Sequence, residues 1–297
     1  AADFERFPTG VLSSSGSWQE PAWRAVASYQ FTDDFYGYFT AARGFRSGAF
    51  NDQSGTTGNE LTPEGIAPTN PEIATSYEIG FKSDLSDSFR LNVTGFWVQY
   101  SDAQRQIAAT LTNQFGQTFQ ETRFFNAAEV DVKGVEVEGS WITPLEGLTI
   151  NGNFAYQDAE YKSFEADTDF DGDIDVDFSG RPLTRTPEKS WTAQLVYERP
   201  LTARHDMAFS FIATHEDEQI YNYSDLGSQF DTTLNEKTLL GLTLDLSDSD
   251  DRWYTRFFVK NLTDKRYRVS AQPVANLWTF AQYGEPRVFG AEIGFKY

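Results

Sequence analysis

The sequence contains no cysteine, so disulfides, thiolate metal sites and thiol nucleophiles are excluded together. It has two histidines, His205 and His215, and neither belongs to a Ser–His–Asp order, a phosphate loop or a metalloprotease motif. An enzyme is therefore not expected, and no cofactor is required. No run approaches the roughly 18–20 consecutive apolar residues of a membrane helix. Basic residues are scarce: 24 Lys and Arg stand against 44 Asp and Glu, a formal charge of −20. A chain that acidic repels phosphate backbones, which removes nucleic acid as a partner. The opening Ala1-Ala2-Asp3-Phe4-Glu5 has neither a basic region nor an apolar core, so no signal peptide is present and a processed or truncated chain is expected.

What the sequence does have is aromatic side chains, 16% of its residues, and an alternation of apolar with polar positions. Ala25, Ala27, Tyr29 and Phe31 oppose Arg24, Val26, Ser28 and Gln30; Val135, Val137 and Trp141 oppose Glu136, Glu138 and Ser140. Period two marks a strand with two unlike faces. About eleven such strands are predicted, over 22–31, 35–44, 74–84, 88–110, 118–142, 147–161, 188–199, 204–216, 234–246, 252–263 and 286–297. The pair 88–110 and 118–142 is unusually long and reads as a hairpin projecting beyond the rest. No boundary interrupts the pattern, so 1–297 is one all-β domain.

The connections separate a soluble sandwich from a membrane barrel. Those near 32–34, 84–88, 143–147, 200–203 and 247–251 are short turns rich in Asp, Ser, Pro and Gly. Those near 45–73, 162–187, 217–233 and 264–285 are long, with a shorter one near 111–117. An antiparallel transmembrane β-barrel has short periplasmic turns and long extracellular loops, whereas a sandwich has no reason to keep its long loops at one end. The side chains agree: Thr, Asn, Gln and Glu at every second position are costly in a dry core but cheap against a wet lumen. Trp97, Trp141, Tyr156 and Trp191 fall near strand shoulders, where aromatic girdles meet the membrane interface.

Several segments in order resemble the C-terminal half of TonB-dependent outer-membrane receptors. They are Tyr38 with Arg43-Gly44-Phe45-Arg46-Ser47-Gly48 and Phe50-Asn51, Asn70-Pro71-Glu72 with Ser76-Tyr77-Glu78, Asn126 with Lys133-Gly134-Val135-Glu136, Asn261-Leu262-Thr263-Asp264-Lys265-Arg266-Tyr267, and Pro286-Arg287-Val288-Phe289-Gly290. The resemblance implies a barrel of about 22 strands, of which this chain carries about half, in the outer membrane of a Gram-negative bacterium. It also implies a plug, absent here, through which the TonB complex drives import. The implied ligand is a ferric siderophore; cobalamin, a carbohydrate or a passive porin-like barrel are the alternatives. Arg43 and Arg46, where a strand meets a long loop, are ligand-side candidates. Ile293, Phe295 and Tyr297 resemble the terminal signal read by the barrel-assembly machinery, and outer-membrane lipid is the remaining partner.

One local pattern stands apart. Asp167, Asp169, Asp171, Asp173 and Asp175 alternate through Gly172, like the start of an EF-hand loop, in which alternate carboxylates converge on one cation. The twelfth position is Phe178 rather than Glu, and the flanks are strands. Ca2+ at this loop and a simply solvated acidic loop are the two readings.

Overall fold

A computed structural model of the chain describes residues 2–6, 12–50, 68–112, 118–167, 173–174, 176–223, 232–250, 252–274 and 278–296. It has no helix among them; all named elements are strands. A small pair, β1 (Ala2–Arg6) and β2 (Leu12–Gly16), precedes the wall. The wall follows chain order through β3 (Trp23–Thr32), β4 (Phe35–Arg46), β5 (Glu72–Ser86), β6 (Phe89–Thr112), β7 (Thr118–Ile142), β8 (Leu148–Ala166), β10 (Lys189–Thr202), β11 (His205–Glu216), β14 (Lys237–Asp248), β15 (Trp253–Lys260) and β18 (Val288–Phe295). Every neighbouring pair is antiparallel, and β9 (Val176–Asp177) adds to β8 off the main path. These eleven wall strands coincide one for one with the eleven read from alternation. Among the described residues β3 and β18 each pair on one side only.

The register shows why the alternation was so regular. Phe81, Val93, Val137, Phe154 and Trp191 lie side by side on five adjacent strands. One residue away, on the other face, the row is Lys82, Asn92, Glu138, Asn153 and Thr192. The apolar face is open: Ile79 is 66% exposed, Phe289 68% and Phe295 69%. In water such a continuous apolar face is unfavourable, whereas in a bilayer it is the required outer surface of a barrel. The polar face then lines the lumen, where its groups bond to one another. The Tyr38 and Thr94 hydroxyls are 2.7 Å apart, Asn92 Nδ2 donates to Glu138 at 3.2 Å, Ser140 donates to Asn151 Oδ1 at 2.8 Å, and Arg256 pairs with Asp245 at 2.6 Å.

The short turns sit at one end. Two-residue turns follow β3 and β5, and the turn from Thr143 to Gly147 requires glycine. Gly147 has φ +85°, and a Cβ there would lie 2.0 Å from the Glu198 carbonyl oxygen. At the other end the long connections form strands of their own: β12 (Gln219–Ile220) with β13 (Thr233–Leu234), and β16 (Arg268–Val274) with β17 (Trp278–Tyr283). The connection 264–285, expected as a long loop, instead pairs as the β16–β17 hairpin, with Pro273 opposite Thr279 one pair before the last. The β6–β7 hairpin is paired as far as Thr112 and Thr118.

Candidate functional site

At the long-connection end the wall changes character. β6, β7 and β8 outrun their neighbours, and their inward face closes over a dry nucleus in which Val130 and Tyr161 are the largest fully buried side chains. Strand bulges build it. Tyr100 and Ala103 on β6 face Val130 and Ala128 on β7, so two residues, Ser101 and Asp102, stand against the single Glu129, and Asp102 takes φ +54°. On β8 the register shifts between Tyr161, opposite Val130, and Ser163, opposite Glu129. The extra residue Lys162 returns Phe164 to the face of Tyr161, and their rings meet at 4.8 Å. Phe178 stands edge-on to Phe164 at 5.1 Å and stacks on Tyr223 at 4.9 Å.

Guanidinium groups rest on these rings. Arg105 lies 5.7 Å from the Tyr161 centroid, and Arg181 lies 4.9 Å from Phe178 and 5.6 Å from Tyr223. Nearby, Arg185 covers Tyr221 at 4.2 Å. Arg105 is also tied to Glu72 at 3.3 Å, whereas Arg181 and Arg185 are exposed. The Tyr223 hydroxyl donates to the Pro182 carbonyl at 2.8 Å, and burial pushes the phenol up, helped by Tyr161 and opposed by Arg181. The Asp177 carboxyl is held below the usual carboxylate range by hydrogen bonds from Ser179, whose own hydroxyl accepts from the Phe164 amide at 2.9 Å. The arrangement is a buried aromatic nucleus that presents exposed guanidinium groups, Arg181 and Arg185, suited to an anionic ligand.

The residues singled out in the sequence fall elsewhere. Arg43 shares the outward register of Trp23 and Thr75; its Nη2 is 2.8 Å from Glu20 Oε2, and Nη1 donates to the Pro21 carbonyl. Arg46 is exposed, on the inward register opposite Glu72. Ile293 and Phe295 lie on the lipid-facing side opposite Thr255 and Trp253, and Tyr297 lies outside the described residues. Of the acidic run, Asp167 and Asp173 are described and engaged, while Asp169, Asp171 and Asp175 lie outside the described residues. No group of three or more metal-ligating side chains occurs among the described residues. His215 instead stacks on Trp191 at 5.5 Å and pairs with Thr238 and Asp217 at 2.8 and 3.0 Å.

The motif asparagines prove to be staples. Asn126 accepts from the Asn70 amide, donates to the Asn70 carbonyl at 3.0 Å, and donates to Asp102 at 2.7 Å, locking the bulge to the preceding loop. Gln104, 4% exposed, donates to the Ser47 and Asn70 carbonyls, and its amide donates to Glu72 at 2.8 Å. Asn261 (φ +49°) binds Lys265 through both amide and carbonyl and donates to Glu285, while Asp264 Oδ1 accepts from the Arg287 amide at 2.9 Å, fastening the start of β18. Sequence reading missed Arg105, Phe164, Phe178, Arg181 and Tyr223. The signal available was the apolar Phe164, Val176 and Phe178 bracketing so acidic a loop.

Comparison with known proteins places this geometry. The profile of the family described as TonB dependent receptor-like, beta-barrel matches residues 3–277. The ferric yersiniabactin uptake receptor FyuA of Yersinia pestis is 18% identical, with TM-score 0.71 over 95% of this chain and 38% of its own. The ferric-catecholate import receptor Fiu of E. coli K12 is 21% identical, with TM-score 0.64 over 95% and 35%. The copper transporter OprC is 14% identical, with TM-score 0.65 over 93% and 39%. The chain thus spans less than two fifths of the length of each of these three.

Proposed function

The chain belongs to the TonB-dependent receptor β-barrel family of the Gram-negative outer membrane, which are receptors and transporters rather than enzymes, and from that premise we propose that the protein takes up a ferric siderophore. In this reading the eleven strands supply part of the barrel wall, the polar inner face packs against the plug, and the TonB complex supplies energy through that plug. The observation that carries the choice of ligand is the pair of exposed guanidinium groups, Arg181 and Arg185, held over the rings of Phe178, Tyr223 and Tyr221 at the extracellular end of the inward face. A ferric chelate with aromatic ligating arms is flat at its edges and carries negative charge, and an exposed guanidinium group can meet both features. A neutral sugar would leave those cations unused.

The test is binding of radioactive ferric chelates to cells producing the full receptor. Arg181→Ala with Arg185→Ala should weaken binding of an anionic catecholate chelate about tenfold or more, which is ~1.4 kcal/mol. Tyr223→Ala should weaken it too, while Tyr223→Phe retains most binding. The reading fails if the double variant binds like the wild type, or if cobalamin or a neutral saccharide competes for the site and ferric chelates do not.

A further inference from the structure

The two ends of the connection between β11 and β14 meet at a histidine. The outward row of Phe154 and Trp191 continues onto β11 as His215 and onto β14 as Thr238. Because barrel strands are tilted, the row climbs toward the long connections, and His215 stands one residue from the end of β11. Its ring lies almost parallel to the Trp191 indole, at 12° and 5.5 Å. Nδ1 is 2.8 Å from the Thr238 hydroxyl, and Nε2 is 3.0 Å from Asp217 Oδ1. With 19% of the side chain exposed, the ring can still exchange protons with solvent.

Charge changes what these partners contribute. A neutral ring has a single N–H, so when Nε2 donates to Asp217, Nδ1 accepts from Thr238. With a second proton both nitrogens donate, because the Thr238 hydroxyl turns to accept, and the contact with Asp217 becomes an ion pair. The ring also becomes a cation on the face of Trp191. Both gains have the same sign, so protonation tightens the cluster and deprotonation loosens it. None of the other charged groups takes Asp217 away from the ring. Glu216 and Lys237, on the opposite face of the sheet, satisfy each other at 2.7 Å. Lys189 reaches the second oxygen of Asp217 at 4.0 Å and is shared with Glu188 at 3.4 Å. Glu218 is exposed, and Glu236 and Lys265 line a cavity beside Thr238.

Asp217 opens a strap. Its amide donates to the Lys189 carbonyl at 2.9 Å, and the chain then lies against residues 181–186. The Ile220 carbonyl accepts from the Arg185 amide at 2.7 Å, and the Tyr221 ring carries the Arg185 guanidinium. Tyr223 bonds to the Pro182 carbonyl and stacks on Phe178, beneath Arg181. Whatever holds Asp217 therefore holds the strap that positions both exposed guanidinium groups. We propose that His215 is a pH-sensitive latch on residues 217–223, which closes the strap in mildly acidic surroundings and loosens it as the ring loses its proton. Control of uptake by the latch rests on the siderophore reading; the latch itself does not.

The test is hydrogen exchange in the ligand-free full receptor in detergent micelles, followed by mass spectrometry. Exchange is compared at about pH 5.5 and about pH 8, on either side of the ordinary imidazole range. Each rate is divided by the intrinsic rate of an unstructured peptide at that pH. Peptides containing the Asp217, Tyr221 and Arg185 amides should be about fivefold better protected at the lower pH, while those from β7 should not differ. His215→Gln keeps a donor and an acceptor but no titrating charge, and should give equal protection at both pH values. Asp217→Asn should shrink the difference. His205→Gln, which removes the other histidine from the short-turn end of the same strand, should leave it whole. Heat-modifiable migration confirms that each variant is folded. Equal wild-type protection at the two pH values overturns the proposal, as does an undiminished difference in folded His215→Gln or its loss in His205→Gln. Because no ligand is present, these outcomes stand apart from those of the chelate-binding assay.

Discussion

Arginine placed at three positions of one strand should have three different effects, set by where each side chain emerges. Val93 is on the outward face of β6, in the row of Phe81, Val137 and Phe154, midway between the aromatic rows of Phe89–Trp141 and Tyr77–Trp97. Gln99 is on the same face, six residues nearer the long connections. At ~3.3 Å per residue and a tilt of ~40°, that is ~15 Å along the membrane normal, beyond half of a ~25 Å apolar band. Val93→Arg should therefore destabilise the barrel by ~2–4 kcal/mol and Gln99→Arg by ~0–1 kcal/mol. The larger figure lowers the folded-to-unfolded ratio ~25- to 700-fold. Asn92→Arg, one residue away but facing the lumen opposite Glu138, should cost little or nothing, since the new cation gains a carboxylate partner. Urea unfolding of the full receptor from lipid vesicles, followed by tryptophan fluorescence, measures all three. Equal costs at 92 and 93, or a larger cost at 99 than at 93, would refute the assignment of faces and depth.

Three further outcomes follow from the loop end and the turns. Asn126→Ala removes three hydrogen bonds between Asn70, Asp102 and the hairpin, and should destabilise the outer hairpin by ~1–3 kcal/mol, seen as faster proteolysis near residue 102 with the wall intact. Gly147→Val should lower the yield of heat-modifiable barrel sharply, because the turn has φ +85° and no space beside Glu198. Gly180→Ala (φ +73°, nothing within 4 Å) should cost only ~1 kcal/mol. The Asp177 carboxyl lies below its ordinary value, so its contacts with Ser179 contribute above the usual carboxylate range and are lost as pH falls through the lowered value. Hydrogen exchange at the Phe164 and Ser179 amides should stay slow from neutral to mildly acidic pH and quicken only below that; Ser179→Ala, which keeps the backbone bond to Asp177 but loses the hydroxyl, should speed exchange at Phe164 and move the Ser179 transition to higher pH.

The wall was legible because each strand faces two solvents, lipid and water, and the sequence must alternate to satisfy both. Even the exceptions obey a local rule. Phe258 and Tyr254 point inward, yet each covers a cross-strand glycine, Gly290 and Gly294, where a Cβ would collide with the ring. The nucleus at the outer mouth was not legible, because its residues reach one face only through bulges at Asp102 and Lys162. Shifting a strand by one residue exchanges its faces, and nothing in the composition around Asp102 announces that shift. The Arg–aromatic contacts are likewise built by residues as distant as Arg105 and Tyr223, whose proximity no local pattern encodes. The partner of Arg43, Glu20, could not be named from the sequence because it lies on a segment without alternation.

The distribution of connections also sets an order of assembly. Closing the two-residue turn after β3 is cheaper in chain entropy than closing the 25 residues between Arg46 and Glu72, by about 2 kcal/mol. Hairpins β3–β4, β5–β6, β7–β8, β10–β11 and β14–β15 are thus the units that form first and then dock side by side. Ten of the eleven wall strands are used up by that pairing. β18 is the one left over: its one wall neighbour among the described residues, β15, is reached through the long segment fastened by Asn261 and Asp264. Until those staples set, β18 is an extended ribbon with both hydrogen-bonding edges unoccupied, which makes it the strand most open to being read by another protein while the rest of the wall is already zipped.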